Sequence, residues 1–401
     1  MGNALYDMGK PEDAVTYYSK ALEQDQELSD VHYNLANTLY MLQQTDRAIE
    51  HYKKAIELNP DKSETYYNLG NAFCVVNRFA EAISVYKKSI ELDSYNPPAF
   101  YNLGNTLINL GSVIKAEASY QQAIALKPDY AEAHNNLAYA FLELGKLKEA
   151  EISYRNAIAI NPAYEENCTH LLAAINGLNP LRATDAYVSS LFDSYAKKFD
   201  SSLVDNLNYI TPTSIASLLR SLIPSANPRS DILDLGCGTG LAGEALVDLA
   251  KTLVGIDLSK EMLKLAKAKN IYDRLIQDEI HHALGLENAS SFDVVVSCDV
   301  FIYIGDLREI FDGVFNVLRV GGFFAFSTEA LFSTDFENIE LSPGYKLTAS
   351  ARYSHSAKYL SRLIDPNRFA LHIFKEEQIR IEKGQPVMGY LVVIQKKPQP
   401  E

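Results

Sequence analysis

The sequence predicts a chain in two parts: an all-α solenoid of repeated helix pairs, then an α/β domain on a doubly wound, mainly parallel sheet. Three observations carry this. Leucines recur every 34 residues through the first part, at Leu35, Leu69, Leu103, Leu137 and Leu171. In the second part the apolar run Ile232–Leu235 leads into Gly236-Cys237-Gly238-Thr239-Gly240. A short buried strand, a glycine turn and a helix in that order form the ligand-binding corner of a doubly wound sheet. Further on, Phe292–Cys298 is a continuous apolar strand, as expected where both faces of a sheet are covered.

Composition narrows the function classes. The 401 residues are 47% hydrophobic and 22% charged, so each part is long enough to bury its own core. The net charge of −14 argues against non-specific nucleic-acid binding and against docking on an anionic membrane, both of which need clustered Lys and Arg. Cys74, Cys168, Cys237 and Cys298 form no C-x-x-C pair, so neither zinc nor a redox dithiol is expected. No apolar stretch reaches the ~20 residues needed to span a bilayer, and no signal peptide is visible. A soluble cytoplasmic protein is expected.

The first part repeats in both helices of each unit. Asn34, Asn68, Asn102 and Asn136 precede the first four of the recurring leucines, and Ala48, Ala82, Ala116 and Ala150 recur at the same spacing in the second helices. Those alanines let the paired helices approach closely. Pro60, Pro128 and Pro162 stop the second helix, because proline cannot continue it. This pattern resembles the tetratricopeptide repeat. Four full repeats are expected from about residue 29 to 164, preceded by a partial repeat whose first helix (GNALYDMG) is short by about a turn. It reads as a truncation, an irregular cap or a frayed end.

Asn37, Asn71 and Asn105 form a second series three residues after the first, and residues i and i+3 share a helix face. Seven amides are thus expected along the inner surface, where Asn can donate to and accept from an extended peptide. A similar ladder is known in the superhelix of the O-linked N-acetylglucosamine transferase family. Such asparagines also belong to the general repeat consensus, where they cap or solvate helices. A protein or peptide partner in the groove is expected.

The repeat fades after Tyr164, and Thr169–Leu178 reads as a helix capping the solenoid, giving a first domain over 1–178. Asn179-Pro180 marks a break. Residues 179–230 are expected to hold a linker and two cap helices. One is Asp185–Asp200, with apolar residues at helical spacing, and the other is Thr211–Leu222. The α/β core then spans 231–398.

The ligand at the glycine turn follows from the acid beside it. Gly238, Gly240 and Gly243 fit the dinucleotide pattern G-x-G-x-x-G, but that triplet starts two residues late, and Asp234 closes the strand where it would repel a pyrophosphate. A carboxylate there suits an amine or sulfonium cation. The stretch DLGCGTG resembles motif I of class I methyltransferases, whose fold is a seven-stranded Rossmann-like sheet and whose cofactor is S-adenosylmethionine. The resemblance implies a cofactor site of Asp234, Gly236, Cys237, Gly238 and Gly240. It adds Asp257 on the ribose hydroxyls, Leu258, Ser259 and Met262 flanking the adenosine, and Asp278 or Glu279 on the adenine amino group. Asp299–Gly305 corresponds to the segment passing close to the reactive methyl.

A base assists an oxygen or nitrogen nucleophile by taking its proton. The insertion Ala330–Phe369 offers Tyr353 and His355, and Asp299 is a further catalytic candidate. Arg352 and Tyr303 are expected to meet the substrate, and no metal cluster is expected. The residues LFDSYAKKFD, DLGCGTGLAGEAL, GIDLSKEML, DVFIYIGDL and RYSHSAKYL resemble the Williams–Beuren-region methyltransferase-like family and its bacterial relatives fused to tetratricopeptide repeats. By analogy with related enzymes, Tyr195 lies on a cap helix over the cofactor. Methyl transfer to a small molecule is the expected function. The alternatives are a protein methyltransferase fed by the groove and an inactive cofactor-binding scaffold.

Overall fold

In the computed structural model, residues 1–196, 199–201, 209–223, 229–332, 343–382 and 384–398 are described. Lys197 and Lys198 of the expected cap helix, and 333–342 of the expected insertion, lie outside them. The chain divides into the units Met1–Tyr164 and Glu165–Glu401.

The first unit is ten helices in five antiparallel pairs. Gly2–Asp7 pairs with Pro11–Gln24, Ser29–Met41 with Thr45–Leu58, and Ser63–Val75 with Phe79–Leu92. Pro97–Asn109 pairs with Val113–Leu126, and Ala131–Glu143 with Leu147–Ile160. The second helix of each of the first four pairs also packs on the first helix of the next, so neighbouring pairs bury the apolar face that one pair leaves exposed. Ala48, Ala82, Ala116 and Ala150 are fully buried at the crossings, and Tyr52, Tyr86, Tyr120 and Tyr154 fill the space beside them.

The second unit begins earlier than residue 178. The helix Glu165–Ile175, expected as the solenoid's cap, puts Ala173 and Ala174 into the second core. Its His170 donates from Nε2 to Ala351 O at 2.9 Å. Burial of a small apolar face and one polar tie decide its allegiance.

The sheet has strands β1 (Ser230–Leu235), β2 (Ala250–Asp257), β3 (Arg274–Gln277), β4 (Phe292–Ser297), β5 (Leu318–Ala330), β6 (Tyr345–Leu347), β7 (Tyr353–His355), β8 (Phe369–Glu382) and β9 (Gln385–Lys396). β3-β2-β1-β4-β5 run parallel, and β9 pairs antiparallel with β5 and with β8. These are the seven expected strands. β7 and β6 are two short additions alongside the end of β5. One core lies on each face: Phe301, Phe311, Phe324 and Phe326 on one side, Ile232, Val294, Val296 and Val393 on the other. The strand order reverses between β1 and β4, and ligands of such sheets bind at the carboxyl ends of the strands at that switch point.

Candidate cofactor and acceptor site

Asp234, Asp257 and Asp299 all stand at or just past the carboxyl ends of β1, β2 and β4. Asp234 is 0% exposed. Its Oδ2 accepts from the Tyr272 hydroxyl at 2.7 Å, while its Oδ1 has no partner. Burial, partly offset by the Tyr272 hydrogen bond, pushes the carboxyl up to about 7. An unpaired buried acceptor is costly to a fold.

The turn after Asp234 is left-handed at Gly236 (φ 70°), Gly238 (φ 53°) and Gly240 (φ 94°), a conformation that glycine adopts without steric cost. A Cβ on Gly236 would overlap the Val300 side chain, so bare backbone is required there as well. Cys237 turns its thiol inward against Gly255 and is buried; it offers a ligand only its main chain.

Asp257 ties two loops together. Its Oδ2 accepts from Gly238 N at 2.8 Å and its Oδ1 from Ser259 N at 2.8 Å. Burial raises its pKa, the two amides lower it, and nearby Asp193 raises it. Each oxygen keeps a lone pair for a further donor. Ser259 caps the helix Lys260–Ala268. Met262, like Ser259, is fully buried. Asp278 accepts from Glu279 N at 2.8 Å and from His282 Nδ1 at 2.7 Å. Glu279 is engaged by Arg182 at 2.8 Å and by His282 N at 3.0 Å.

The acceptor side departs further from expectation. Asp299 sits at φ 56° and is locked by Ser327 and by Arg380 at 3.5 Å. Burial raises its pKa and Arg380 lowers it. Arg380 is 4% exposed and also pairs with Glu329. Arg352, expected to clamp a substrate, already has its two terminal nitrogens on Glu382 at 2.8 and 2.6 Å. Tyr353 donates to Pro180 O at 2.9 Å within the core. His355 is fully buried, donates from Nε2 to Gly305 O at 3.0 Å and stacks on Tyr359. Burial lowers its pKa to about 4. Such an imidazole positions the 305 turn. Tyr303 stands edge-on to Phe192 at 5.4 Å, its hydroxyl pushed up to about 12 by burial against the pull of Arg352 and Arg380. Tyr195 is 37% exposed and edge-on to Phe199 at 5.9 Å.

Residue-type reasoning missed Asp193, Asp200, Tyr272, Ser327, Glu329 and Arg380. Tyr272, in the loop before β3, and Arg380, on β8, carry no motif signal, because contacts made from distant segments leave none. Asp193 and Asp200 stand within LFDSYAKKFD, seven residues apart.

In the repeat unit the asparagine ladder is internal. Asn37 Oδ1 accepts from Tyr52 and Asn68, Asn71 from Tyr86 and Asn102, and Asn105 from Tyr120 and Asn136, all at 2.6–3.1 Å. Asn68, Asn102 and Asn136 donate again to Tyr33, Tyr67 and Tyr101. Asn34 reaches Asn3. The amides therefore join one repeat to the next.

A methyltransferase-domain family model matches residues 233–326. Tetratricopeptide-repeat models match 2–43, 29–62, 51–84, 76–111 and 101–165. The protein is a tetratricopeptide-repeat array joined to a methyltransferase domain. Malonyl-[acyl-carrier protein] O-methyltransferase of Bacillus anthracis is 34% identical over 107 residues, 26% of this chain and 39% of that protein. The mitochondrial ubiquinone biosynthesis O-methyltransferase of Rattus norvegicus is 32% identical over 117 residues, 28% of this chain and 32% of that protein. The chain thus spans between about a third and two fifths of these relatives' length. Among solved structures, MamA is similar at 26% identity with a TM-score of 0.40, over 41% of this chain and 95% of that one. No helix among the described residues is long and apolar enough to cross a membrane.

Proposed function

We propose that this protein transfers a methyl group from S-adenosylmethionine to a small-molecule acceptor, and that its repeats bind a protein partner. The orphaned, fully buried Oδ1 of Asp234 beside the left-handed glycine turn is the observation that carries the reading. It suits the cofactor's cationic amine end and repels a pyrophosphate. In this reading Gly236, Gly238 and Gly240 let the cofactor lie on bare backbone. Asp257 takes the ribose hydroxyls with its remaining lone pairs, Leu258 and Ser259 flank the adenosine, and Asp278 with Glu279 meets the adenine edge. When bound, S-adenosylmethionine supplies an activated methyl on a sulfonium that leaves readily.

Holding the acceptor about 3 Å from that methyl provides much of the rate. We assign this task to Tyr303, Phe192 and the segment that starts at Asp299, whose carboxylate is committed to Ser327 and Arg380. The two relatives named above methylate oxygen, by their names, which supports an oxygen acceptor. Membership in the Williams–Beuren-region family rests on the sequence segments that resemble it. Four free cysteines suit a reducing, cytoplasmic location.

Calorimetric titration with S-adenosylmethionine and, separately, with NAD tests the cofactor. Binding of the first alone is expected. Binding of NAD alone overturns every role assigned after Asp234.

A further inference from the structure

The inner surface of the repeat array is built by the first helices of the pairs. From Ser29–Met41 onward these touch one another in succession, and in a curved stack the elements that close up stand on the inside of the curve. The five first helices together contain no lysine or arginine, and five carboxylates: Asp7, Asp30, Glu64, Glu132 and Glu143. All five fall on one stripe. Asp30, Asn34, Asn37 and Met41 follow one another at i, i+4, i+7 and i+11, the spacing of a single helix face. The 34-residue period carries Glu64 and Glu132 to the place of Asp30, and Asp7, Val75 and Glu143 to the place of Met41. The amides in the middle of the stripe join the repeats. Toward its ends the stripe meets solvent: Met41 is 48% exposed and Val75 56%, and Asp7, Asp30, Glu64 and Glu132 are exposed as well.

Local helix chemistry accounts for the acids at one end of the stripe and not for those at the other. Asp30, Glu64 and Glu132 sit in first turns, where the helix dipole favours an acid, and Asp30 also pairs with Lys62 at 2.8 Å. Asp7 and Glu143 are the last residues of their helices, where the dipole disfavours an acid. Asp7 stands on a cavity of about 250 Å³ that Asn3, Tyr6, Tyr18, Asn34 and Asn37 complete. Its carboxylate is the single charge among these lining residues and stands with two phenol rings. Such a cavity suits the long apolar stem and the cationic head of lysine or arginine.

We propose, on the reading of the repeats as a protein-binding unit, that their inner surface docks an extended segment of another protein, with a lysine or arginine in the Asp7 cavity and apolar residues on Met41 and Val75. Neighbouring helices pack about 8–10 Å apart, which is about three residues of extended chain. The apolar residues of the segment therefore stand about three and six positions from the basic one.

The test is selection of a randomised peptide library on the immobilised full chain, followed by fluorescence anisotropy of the enriched peptides. Sequences with a lysine or arginine and apolar residues at that spacing are expected. Asp7→Asn weakens their binding about threefold to fivefold and Asp7→Lys about tenfold or more, as loss and reversal of an exposed charge do. Met41→Ser weakens it as well. Glu23→Lys makes the same change of net charge as Asp7→Lys, on the second helix Pro11–Gln24, and leaves binding within about twofold because salt screens a distant charge. The melting temperature of Asp7→Asn stays at or above the parent's, since the acid opposes its helix dipole; lost docking is thereby told from a lost fold. An enriched set without basic residues overturns the charge class while protein binding by the repeats stands. No enrichment removes both. Full affinity in Asp7→Lys overturns the docking site. So does equal weakening by Glu23→Lys, which marks attraction to the net charge of −14.

Discussion

Ser327 and Asp299 exchange two hydrogen bonds: the Asp299 amide donates to Ser327 Oγ at 2.8 Å, and that hydroxyl donates to Asp299 Oδ1 at 2.7 Å. The pair holds Asp299 in the left-handed region at φ 56°, which costs about 1 kcal/mol or more for a residue with a side chain. Ser327→Ala removes both bonds at a buried position and is expected to lower stability by about 1–3 kcal/mol. Urea denaturation measures this, and a loss below a few tenths of a kcal/mol contradicts the role given to Ser327.

Asp234 predicts how cofactor affinity depends on pH. Its folded pKa is raised to about 7, so in the free protein it is largely protonated at pH 6. A bound cation favours the ionised form. Affinity for S-adenosylmethionine therefore rises with pH up to about 7, by at most about tenfold per unit, and flattens above. Because the folded pKa is raised, this group lowers the stability of the free protein as pH climbs from about 4 to 7. Asp234→Asn is expected to bind weakly with a flat profile. Calorimetry from pH 5.5 to 8.5 checks both statements.

Asp257→Ala removes the anchor for Gly238 N and Ser259 N as well as the ribose acceptor. Cofactor binding is expected to weaken by about 1–3 kcal/mol, the range for hydrogen bonds to a charged group. An unchanged dissociation constant would sink the ribose placement.

His355 makes the methyltransferase unit acid-sensitive. It is neutral in the fold, with its pKa lowered to about 4 by burial, and ordinary (about 6.5) when unfolded. Its stabilisation is present above pH 6.5 and is lost as pH falls from 6.5 toward 4, by up to about 1.4 kcal/mol per unit. His170, lowered by burial as well, acts in the same direction. His355→Gln should keep cofactor affinity near the parent's and reduce the slope of stability against pH in that window. A slope identical to the parent's contradicts this.

The ladder predicts a stability cost without any partner bound. Asn71→Ala removes the acceptor that the buried Tyr86 hydroxyl shares with Asn102 Nδ2, which keeps Tyr67, at about 1–3 kcal/mol for the Tyr86 hydroxyl. Thermal unfolding of the repeat unit should shift downward. An unaltered transition marks the ladder as a solvated surface.

Periodicity and one turn motif determine both folds. A 34-residue period repeats one packing problem, so the leucines, crossing alanines and filling tyrosines are legible without coordinates. The apolar strands and the acid–glycine corner fix the parallel sheet and its switch point, because few residue types satisfy a left-handed turn against bare backbone. The roles of polar side chains are decided elsewhere. The ladder amides pair across 31 residues, Arg352 meets Glu382 30 residues on, and Asp193 meets Ser259 66 residues on. Sequence alone names the groups that hydrogen-bond and titrate. Only the tertiary structure decides which of them already hold one another and which, like Asp234 Oδ1, stay without a partner. Burial and partner distance set both, and neither is a property of the residue itself.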